Sequence, residues 1–230
     1  MEETSYKFFG DNRATEQASL VWRSFLRAMA LDTKLPESIL NMPGMSGRKY
    51  RSFINNLIGS MPSPRYLEIG SWAGSTACSA IFQNTLAAVC IDNWSEFGGP
   101  KDAFFANTKT VLGPNVDFKF IESDFRKVDF GSLGSPFNVY MFDGPHSAKD
   151  QFDGVLLAQP ALERDFIMIV DDWNWPQVRE GTIAALNQAG VKRMFILEIK
   201  TTQDDTHPTK AQLQDSEWHN GYFIAVCQKS

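Results

Sequence analysis

The spacing of hydrophobic residues changes near residue 60, which divides the chain into two parts. Before that point, apolar side chains recur every three or four positions, which is typical of an amphipathic helix. One such pattern covers residues 14–30, and a second begins near Ser46 after a loop over residues 36–44. These patterns predict a helical N-terminal extension over residues 1–60. It could cover a cofactor, help to bind substrate, or pack on a sheet or on another subunit in a homo-oligomer.

From Arg65 onwards, short apolar runs alternate with helical patterns. Strands are predicted at residues 66–69, 88–91, 116–121, 137–142, 166–170, 193–199 and 222–227. Helices are predicted after Ser75 and at residues 101–112, 148–162 and 177–189. This alternation favours an α/β domain over residues 61–230, with a parallel sheet covered by helices on both faces. The polar connection 200–220 suggests that the final strand returns in a hairpin-like manner.

A glycine turn between the first two predicted strands indicates a ligand-binding site. Gly70 and Gly74 let the backbone turn sharply and approach a ligand closely. Ser75 and Thr76 are predicted to cap the following helix, whose free N–H groups attract an anion. Asp92 ends the second strand, where an acid commonly binds ribose hydroxyls. The stretch therefore predicts a site for a nucleoside that carries an anionic group.

Three carboxylates are predicted to meet at one edge of the sheet. Asp143 follows the strand 137–142, and Asp171 and Asp172 follow the strand 166–170. These strands should be neighbours, about 4.8 Å apart. Without a cation the three acids would repel one another. Oxygen ligands of this kind suit Mg²⁺, with Ca²⁺ or Mn²⁺ as substitutes.

Composition limits the class of protein. The 230 residues are 43% hydrophobic and carry a formal net charge of −5, which argues against a broad nucleic-acid interface. No apolar run reaches 18 residues, so no membrane span is expected, and the polar N-terminus is unlike a signal peptide. The three cysteines, Cys78, Cys90 and Cys227, lack metal-binding spacing and fit buried thiols of a reducing, cytoplasmic compartment.

The glycine turn also resembles a known family. A dinucleotide site would need a glycine where Trp72 stands. Residues 68–76, Glu-Ile-Gly-Ser-Trp-Ala-Gly-Ser-Thr, instead resemble motif I of class I S-adenosylmethionine-dependent methyltransferases. The resemblance implies a Rossmann-like, doubly wound sheet of seven strands, mostly parallel with one antiparallel strand. It implies cofactor contacts from Glu68, Gly70, Ser71, Gly74, Ser75, Thr76, Asp92, Asn93, Trp94, Asp124 and Asp143.

The acidic residues carry a second resemblance. Asp143-Gly144-Pro145-His146 and Asp171-Asp172 are similar to the D-G-x-H and D-D elements of the metal-dependent, macrocin-type sugar O-methyltransferases. Catechol O-methyltransferase has a similar acidic set, but no catechol-specific signature is present. By this resemblance, Asp143, Asp171 and Asp172 bind a divalent metal and His146 is the catalytic base. The acceptor would be a small hydroxylated molecule, such as a sugar or another vicinal-oxygen compound.

Other interpretations of these residues stay open. The acids can cap the helices that follow their strands, and His146 can be an ordinary residue at a helix start. Asp124 can be an ordinary loop acid. Trp173, Trp175, His207, Trp218 and His219 can line an acceptor pocket, although packing or solvent exposure is the better explanation for each. Two other functions fit as well: a metal-independent methyltransferase, or a non-catalytic protein that binds S-adenosylmethionine or a nucleotide.

Overall fold

An eight-stranded sheet forms the centre of the protein. The computed structural model describes residues 3–209 and 216–230. In chain order the strands are β1 (Ser5–Gly10), β2 (Arg65–Ile69), β3 (Leu86–Asp92), β4 (Val116–Glu122), β5 (Phe137–Phe142), β6 (Leu162–Asp171), β7 (Lys192–Lys200) and β8 (Tyr222–Gln228). Their order across the sheet is β1-β7-β8-β6-β5-β2-β3-β4. Strands β2 to β6 pair in parallel, whereas β8 runs antiparallel to β6 and β7, and β1 runs antiparallel to β7.

Helices cover both faces of this sheet. They are α1 (Glu16–Met29), α2 (Glu37–Leu40), α3 (Arg48–Ser60), α4 (Ser75–Ile81), α5 (Lys101–Val111), α6 (Ala148–Ala158) and α7 (Pro176–Gln188). Apolar residues of α1 to α4 form one buried cluster with one face of the sheet, and those of α6 and α7 form a second cluster with the other. The N-terminal segment therefore shares a core with the sheet.

Strand β5 shows why the apolar runs of this sequence become central strands. Val139 and Met141 belong to the first cluster, whereas Tyr140 and Phe142 belong to the second. Because side chains alternate between two covered faces, nearly every position must be apolar. Each fully buried large apolar side chain contributes about 1.5–3 kcal/mol. Burial of this kind fixes β5 and β6 in the middle of the sheet, next to the site.

The predicted α/β fold is confirmed, including the seven strands and the antiparallel β8. Strand β1 was not predicted, so the N-terminal extension is not purely helical. Its residues pair with β7, far away in sequence, and Tyr6 and Phe8 pack against Phe25 of α1. Strand β1 is stabilised by contacts with residues that are distant in sequence, so the hydrophobic pattern of residues 5–10 alone does not reveal it.

Two segments differ from the sequence prediction. The helix predicted over 148–162 ends at Ala158, because residues 159–161 form a 3₁₀ turn that contains Pro160. The predicted loop 36–44 contains the short helix α2. Part of the predicted connection 200–220, residues 210–215, lies outside the described residues. Within the described ranges, no helix combines the length and the apolarity that a bilayer crossing requires.

Candidate active site

A cavity of about 510 Å³ opens where β2, β3, β5 and β6 end. Ligands bind at this edge of open α/β sheets. The cavity brings together nine of the residues predicted from sequence: Gly70, Asp92, Asn93, Trp94, Asp124, Asp143, His146, Asp171 and Asp172. The structure thus places the glycine turn and the acids in one space.

Asp92 holds the glycine turn in shape. Its Oδ2 accepts hydrogen bonds from the backbone N–H of Ser71 at 2.8 Å and of Trp72 at 2.9 Å, and its Oδ1 accepts one from Trp94 N at 2.7 Å. Gly70 has φ 85°, and a Cβ there would lie 1.8 Å from Asp143 O. Only glycine fits this approach. A carboxylate has about four acceptor sites, so Asp92 retains capacity toward the cavity.

Five predicted cofactor residues, Glu68, Ser71, Gly74, Ser75 and Thr76, do not line the cavity. Glu68 is fully buried beneath the turn, where Oε2 accepts a hydrogen bond from the Tyr66 hydroxyl at 2.5 Å. Burial raises the pKa of the Glu68 carboxyl to about 7, while the bond from Tyr66 opposes that rise.

The predicted capping of α4 by Ser75 and Thr76 is wrong. Gly74, with a left-handed backbone, is the N-cap residue, and no side chain caps the helix. Ser75 and Thr76 already lie in its first turn. A hydroxyl at those positions cannot reach the N–H groups that an N-cap side chain serves. Ser75 Oγ instead lies 3.1 Å from Ser46 Oγ.

Aromatic residues line the end of the cavity near β3 and β4. Trp94 lines the cavity, and its ring also packs on Phe120, with centroids 5.2 Å apart. Asp124 caps the 3₁₀ turn that follows it by accepting from Arg126 N at 3.0 Å. Phe125, which the sequence analysis missed, lines the cavity beneath the Arg126 guanidinium at 4.4 Å. A single phenylalanine after an acid gives no recognisable signal.

The acids and His146 meet at the other end. Potential ligand atoms of Asp143, His146 and Asp172 all lie within 4.8 Å of one another. His146 Nε2 lies 2.6 Å from Asp172 Oδ2, and Asn220 Nδ2 donates to Asp172 Oδ1 at 2.6 Å. Asp171 lies beside this group, and its Oδ1 accepts from Asp172 N at 2.8 Å. We call Asp143, Asp171 and Asp172 the acidic cluster.

The pKa values of the three carboxyls in the acidic cluster are shifted in different directions. Burial, followed by repulsion from the neighbouring carboxylates, raises the pKa of Asp143 and Asp171 well above its usual range. Burial also acts against ionised Asp172, but its hydrogen bond to His146 outweighs that effect and lowers its pKa. Burial likewise disfavours charged His146, yet the bond to Asp172 raises its pKa.

This donor set fits a hard divalent cation. Asp143 and Asp172 supply carboxylate oxygens of the kind that Mg²⁺, Ca²⁺ and Mn²⁺ prefer, and His146 supplies a ring nitrogen beside them, whereas Asp171 lies outside this group of potential ligand atoms. Carboxylates this close together repel one another, and a divalent cation would offset that repulsion. A cation among them would return Asp143 and Asp171 to their ionised forms.

All three histidines of the chain line the cavity. His207 and His219 pack edge-on with ring centroids 5.1 Å apart, and Trp175 contacts His146 edge-on at 5.0 Å. Burial lowers the pKa of His219 to about 4, so its ring is neutral at pH 7. By contrast, Trp173 and Trp218 are each 1% exposed and belong to the core.

Comparison with known proteins agrees with this geometry. The model of a methyltransferase domain family matches residues 67–173, which contain the glycine turn and the acidic cluster. None of the curated proteins compared with the chain matches it.

Several solved structures share the fold. An S-adenosylhomocysteine-bound methyltransferase of Podospora anserina, PaMTH1, is 16% identical with a TM-score of 0.50, over 92% of this chain and 88% of that one. A putative O-methyltransferase from Klebsiella pneumoniae is 13% identical with a TM-score of 0.50, over 91% and 90%. The putative RNA methyltransferase PH1948 from Pyrococcus horikoshii is 16% identical with a TM-score of 0.54, over 88% and 96%.

Other structural relatives are longer. The match covers 90% of this chain but 53% of TrmN from Thermus thermophilus, so the chain spans about half the length of that relative. At identities this low, the likenesses establish the fold. The family match covers residues 67–173, with the glycine turn and the acidic cluster, so this part of the chain is similar to a methyltransferase domain, and the solved structures share its fold.

Proposed function

We propose that the protein is a divalent-metal-dependent O-methyltransferase that methylates a small hydroxylated acceptor, such as a sugar or another vicinal-oxygen compound. One observation carries the proposal. The acidic cluster and His146 share a cavity with Asp92 and the glycine turn, so a donor and an acceptor can bind side by side.

The residues around β2 and β3 would hold the nucleoside end of the cofactor. Asp92 retains acceptor capacity for ribose hydroxyls, and Trp94 and Phe125 offer aromatic faces to adenine. Asp124 lies beside them. S-adenosylmethionine supplies a methyl group that is already activated for displacement. The protein's main task is then to align the acceptor oxygen with it, which accounts for a large part of such catalysis.

The acidic cluster would hold the metal. A bound divalent cation would supply the positive charge that lowers the pKa of an acceptor hydroxyl. Asp143 and Asp172 approach each other from β5 and β6. His146, beside them, would accept the hydroxyl proton as general base. Donation from Nε2–H to Asp172 would leave Nδ1 of the neutral ring as the accepting atom.

One observation favours a second candidate, a metal-independent methyltransferase. The contact of 2.6 Å between His146 and Asp172 forms a base oriented by a carboxylate, without any cation. In that case Asp172 would orient the imidazole, and Asp143 and Asp171 would only shape the cleft.

Chelation separates the two candidates. We expect exhaustive treatment with EDTA to abolish methyl transfer to a panel of sugars and vicinal diols, and Mg²⁺ to restore it. Binding of S-adenosylhomocysteine, measured by calorimetry in the same samples, should change little, because Asp92 lies outside the acidic cluster. Full turnover after chelation would support the metal-independent mechanism. Absence of any binding at millimolar ligand would refute both candidates.

A further inference from the structure

His219 has a side chain that lines the cavity and a backbone that is held from both sides. Its φ is 40°, a left-handed conformation that is uncommon for a residue other than glycine. Its backbone N–H donates to Ser216 Oγ at 3.0 Å, and its carbonyl accepts from Thr201 Oγ1 at 2.9 Å. Conformations of this kind persist where the surrounding structure fixes them, and they cluster at ligand sites. The backbone therefore holds the His219 ring in the wall of the cavity.

The ring of His219 carries a polar atom without a partner. The residue is 5% exposed, and within residues 3–209 and 216–230 its Nδ1 is buried without a hydrogen bond. A buried polar atom that stays unpaired is unfavourable, and each such atom in a folded protein calls for an explanation. The neutral ring carries one N–H donor and one lone pair. A ligand group that both donates and accepts would satisfy Nδ1 in either tautomer.

His207 offers a second polar atom beside this ring. The two histidines pack edge-on with ring centroids 5.1 Å apart. His207 Nδ1 lies 2.9 Å from the Pro208 carbonyl oxygen, which can only accept a hydrogen bond, so Nδ1 carries a proton. In the neutral ring, Nε2 of His207 is then a lone-pair acceptor. An uncharged hydroxyl, which has one O–H and two lone pairs, matches both histidines.

The two histidines lie close to the proposed reaction centre. Trp175 packs against His146, with ring centroids 5.0 Å apart, and against His207, with ring centroids 6.2 Å apart. Trp175 and both histidines line the cavity. On the other side, Asn220, the residue after His219, donates to Asp172 of the acidic cluster. The histidine pair and the proposed base are therefore separated by a single aromatic ring.

We infer that His207 and His219 bind a hydroxyl of the acceptor that is not methylated. The inference rests on the proposed function, in which two neighbouring oxygens of the acceptor lie at the acidic cluster. The further hydroxyl donates to Nε2 of His207 and pairs with Nδ1 of His219, while the Trp175 ring contacts the carbon skeleton. A catechol or a simple diol lacks this third hydroxyl. The pair thus selects polyhydroxylated acceptors over molecules with only two vicinal oxygens.

The test measures binding of three probes to the full-length chain saturated with S-adenosylhomocysteine and Mg²⁺. The probes are cis-cyclohexane-1,2-diol, all-cis-cyclohexane-1,2,3-triol and all-cis-3-fluorocyclohexane-1,2-diol, which matches the size of the triol but lacks the third O–H. Dissociation constants come from NMR titrations. Two hydrogen bonds to one hydroxyl predict that the wild-type protein binds the triol about 5- to 100-fold more tightly than either other probe.

Three variants assign this preference to the histidine pair. In His219→Phe the ratio of affinities for the triol and the fluorinated diol should fall to near 1. His207→Phe should have the same effect, and because His207 is only half-buried, it keeps the test available if His219→Phe does not fold. Glu217→Gln removes a surface partner of Lys49 in the same segment as His219, and it should keep the wild-type ratio.

Equal binding of the triol and the fluorinated diol by the wild-type protein would refute the hydroxyl subsite and leave the proposed function intact. An unchanged ratio in His207→Phe or in a folded His219→Phe would do the same. Failure of all three probes to bind, in samples that bind S-adenosylhomocysteine, would refute the small hydroxylated acceptor and the subsite with it.

Discussion

Glu68 and His146 are ionisable side chains whose pKa values depend on how they are buried. Glu68 is buried under the glycine turn, and burial raises the pKa of its carboxyl to about 7 despite the hydrogen bond from Tyr66. His146 is near the cavity surface and is bound to Asp172, which favours its charged form. We therefore expect Glu68 to make the stability of the protein depend on pH, and His146 to make the rate of the reaction depend on pH.

For Glu68, the folded protein should lose stability as pH rises from about 4.5 to about 7. The unfolded carboxyl ionises near 4.5, whereas the folded carboxyl keeps its proton to about 7. This shift corresponds to about 3 kcal/mol. Glu68→Gln should remove the slope, so that urea unfolding of the variant and the wild type diverges between pH 5 and pH 8. The exposed Glu122→Gln is the control, and parallel profiles for Glu68→Gln and wild type would contradict the prediction.

For His146, replacement by glutamine should lower the turnover rate by about 10²–10⁴-fold, the usual contribution of a general base. The base acts in its neutral form, so the wild-type rate should rise with pH through an apparent pKa above the ordinary histidine value. The rise of the rate with pH should be absent in the variant, while its calorimetric affinity for S-adenosylhomocysteine stays the same. If the variant keeps near-wild-type turnover under conditions in which the chemical step limits the rate, His146 is not the catalytic base.

Two segments line the cavity with one histidine each, His207 and His219, and the buried side chain of Asn174 bonds to both segments. Asn174 Nδ2 donates to Thr201 Oγ1, to Asn220 Oδ1 and to the Thr206 carbonyl, and Asn174 Oδ1 accepts from Thr201 N. Asn220 in turn donates to Asp172. The segment with His207 and the segment with His219 are thereby tied to the acidic cluster.

Asn174→Ala should consequently loosen both segments. Loss of a fully buried, fully bonded amide costs about 1–3 kcal/mol, which denaturant unfolding can measure. Amide hydrogen exchange should accelerate in residues 201–209 and 216–221 before the rest of the protein. Asn187→Ala, an exposed asparagine at the end of α7, is the matched control. Uniform acceleration across the sheet would show that Asn174 acts on global stability alone.

The elements that the sequence revealed are those with local signals. Strand β5 could be predicted from its apolar run, within a chain where strand and helix patterns alternate. The meeting of the acids after β5 and β6 could be predicted because parallel strands end at the same edge of the sheet. Strand β1 depends on a distant partner and was missed. Capping of α4 was wrong because the left-handed Gly74 takes the N-cap position. His207 and His219 reach the cavity through the Asn174 hydrogen bonds, which no spacing in the sequence encodes.

Charge balance in the whole molecule gives a further prediction for the metal. In the absence of a cation, the crowded carboxylates of the acidic cluster work against folding. Asp143→Asn should therefore raise the melting temperature of the EDTA-treated protein, by about 2–4 °C for each kcal/mol of repulsion removed. It should also abolish stabilisation by Mg²⁺.

The exposed Asp117→Asn, on β4, should leave both melting temperatures unchanged and serves as the control. If Mg²⁺ stabilises the wild type and Asp143→Asn equally, the cation does not bind at Asp143.

The pairing of β1 with β7 bears on how the chain assembles during synthesis. Ser5 pairs with Lys200, so β1 leaves the ribosome long before its partner exists. Strand β8 then inserts between β6 and β7 and, within residues 3–209 and 216–230, is the strand that links the β1–β7 pair to the rest of the sheet. Pairings this distant in sequence form slowly and leave apolar strand edges exposed meanwhile. A nascent chain that stalls before Tyr222 would present β6 and β7 as open edges, so this protein should depend on chaperones until β8 has emerged.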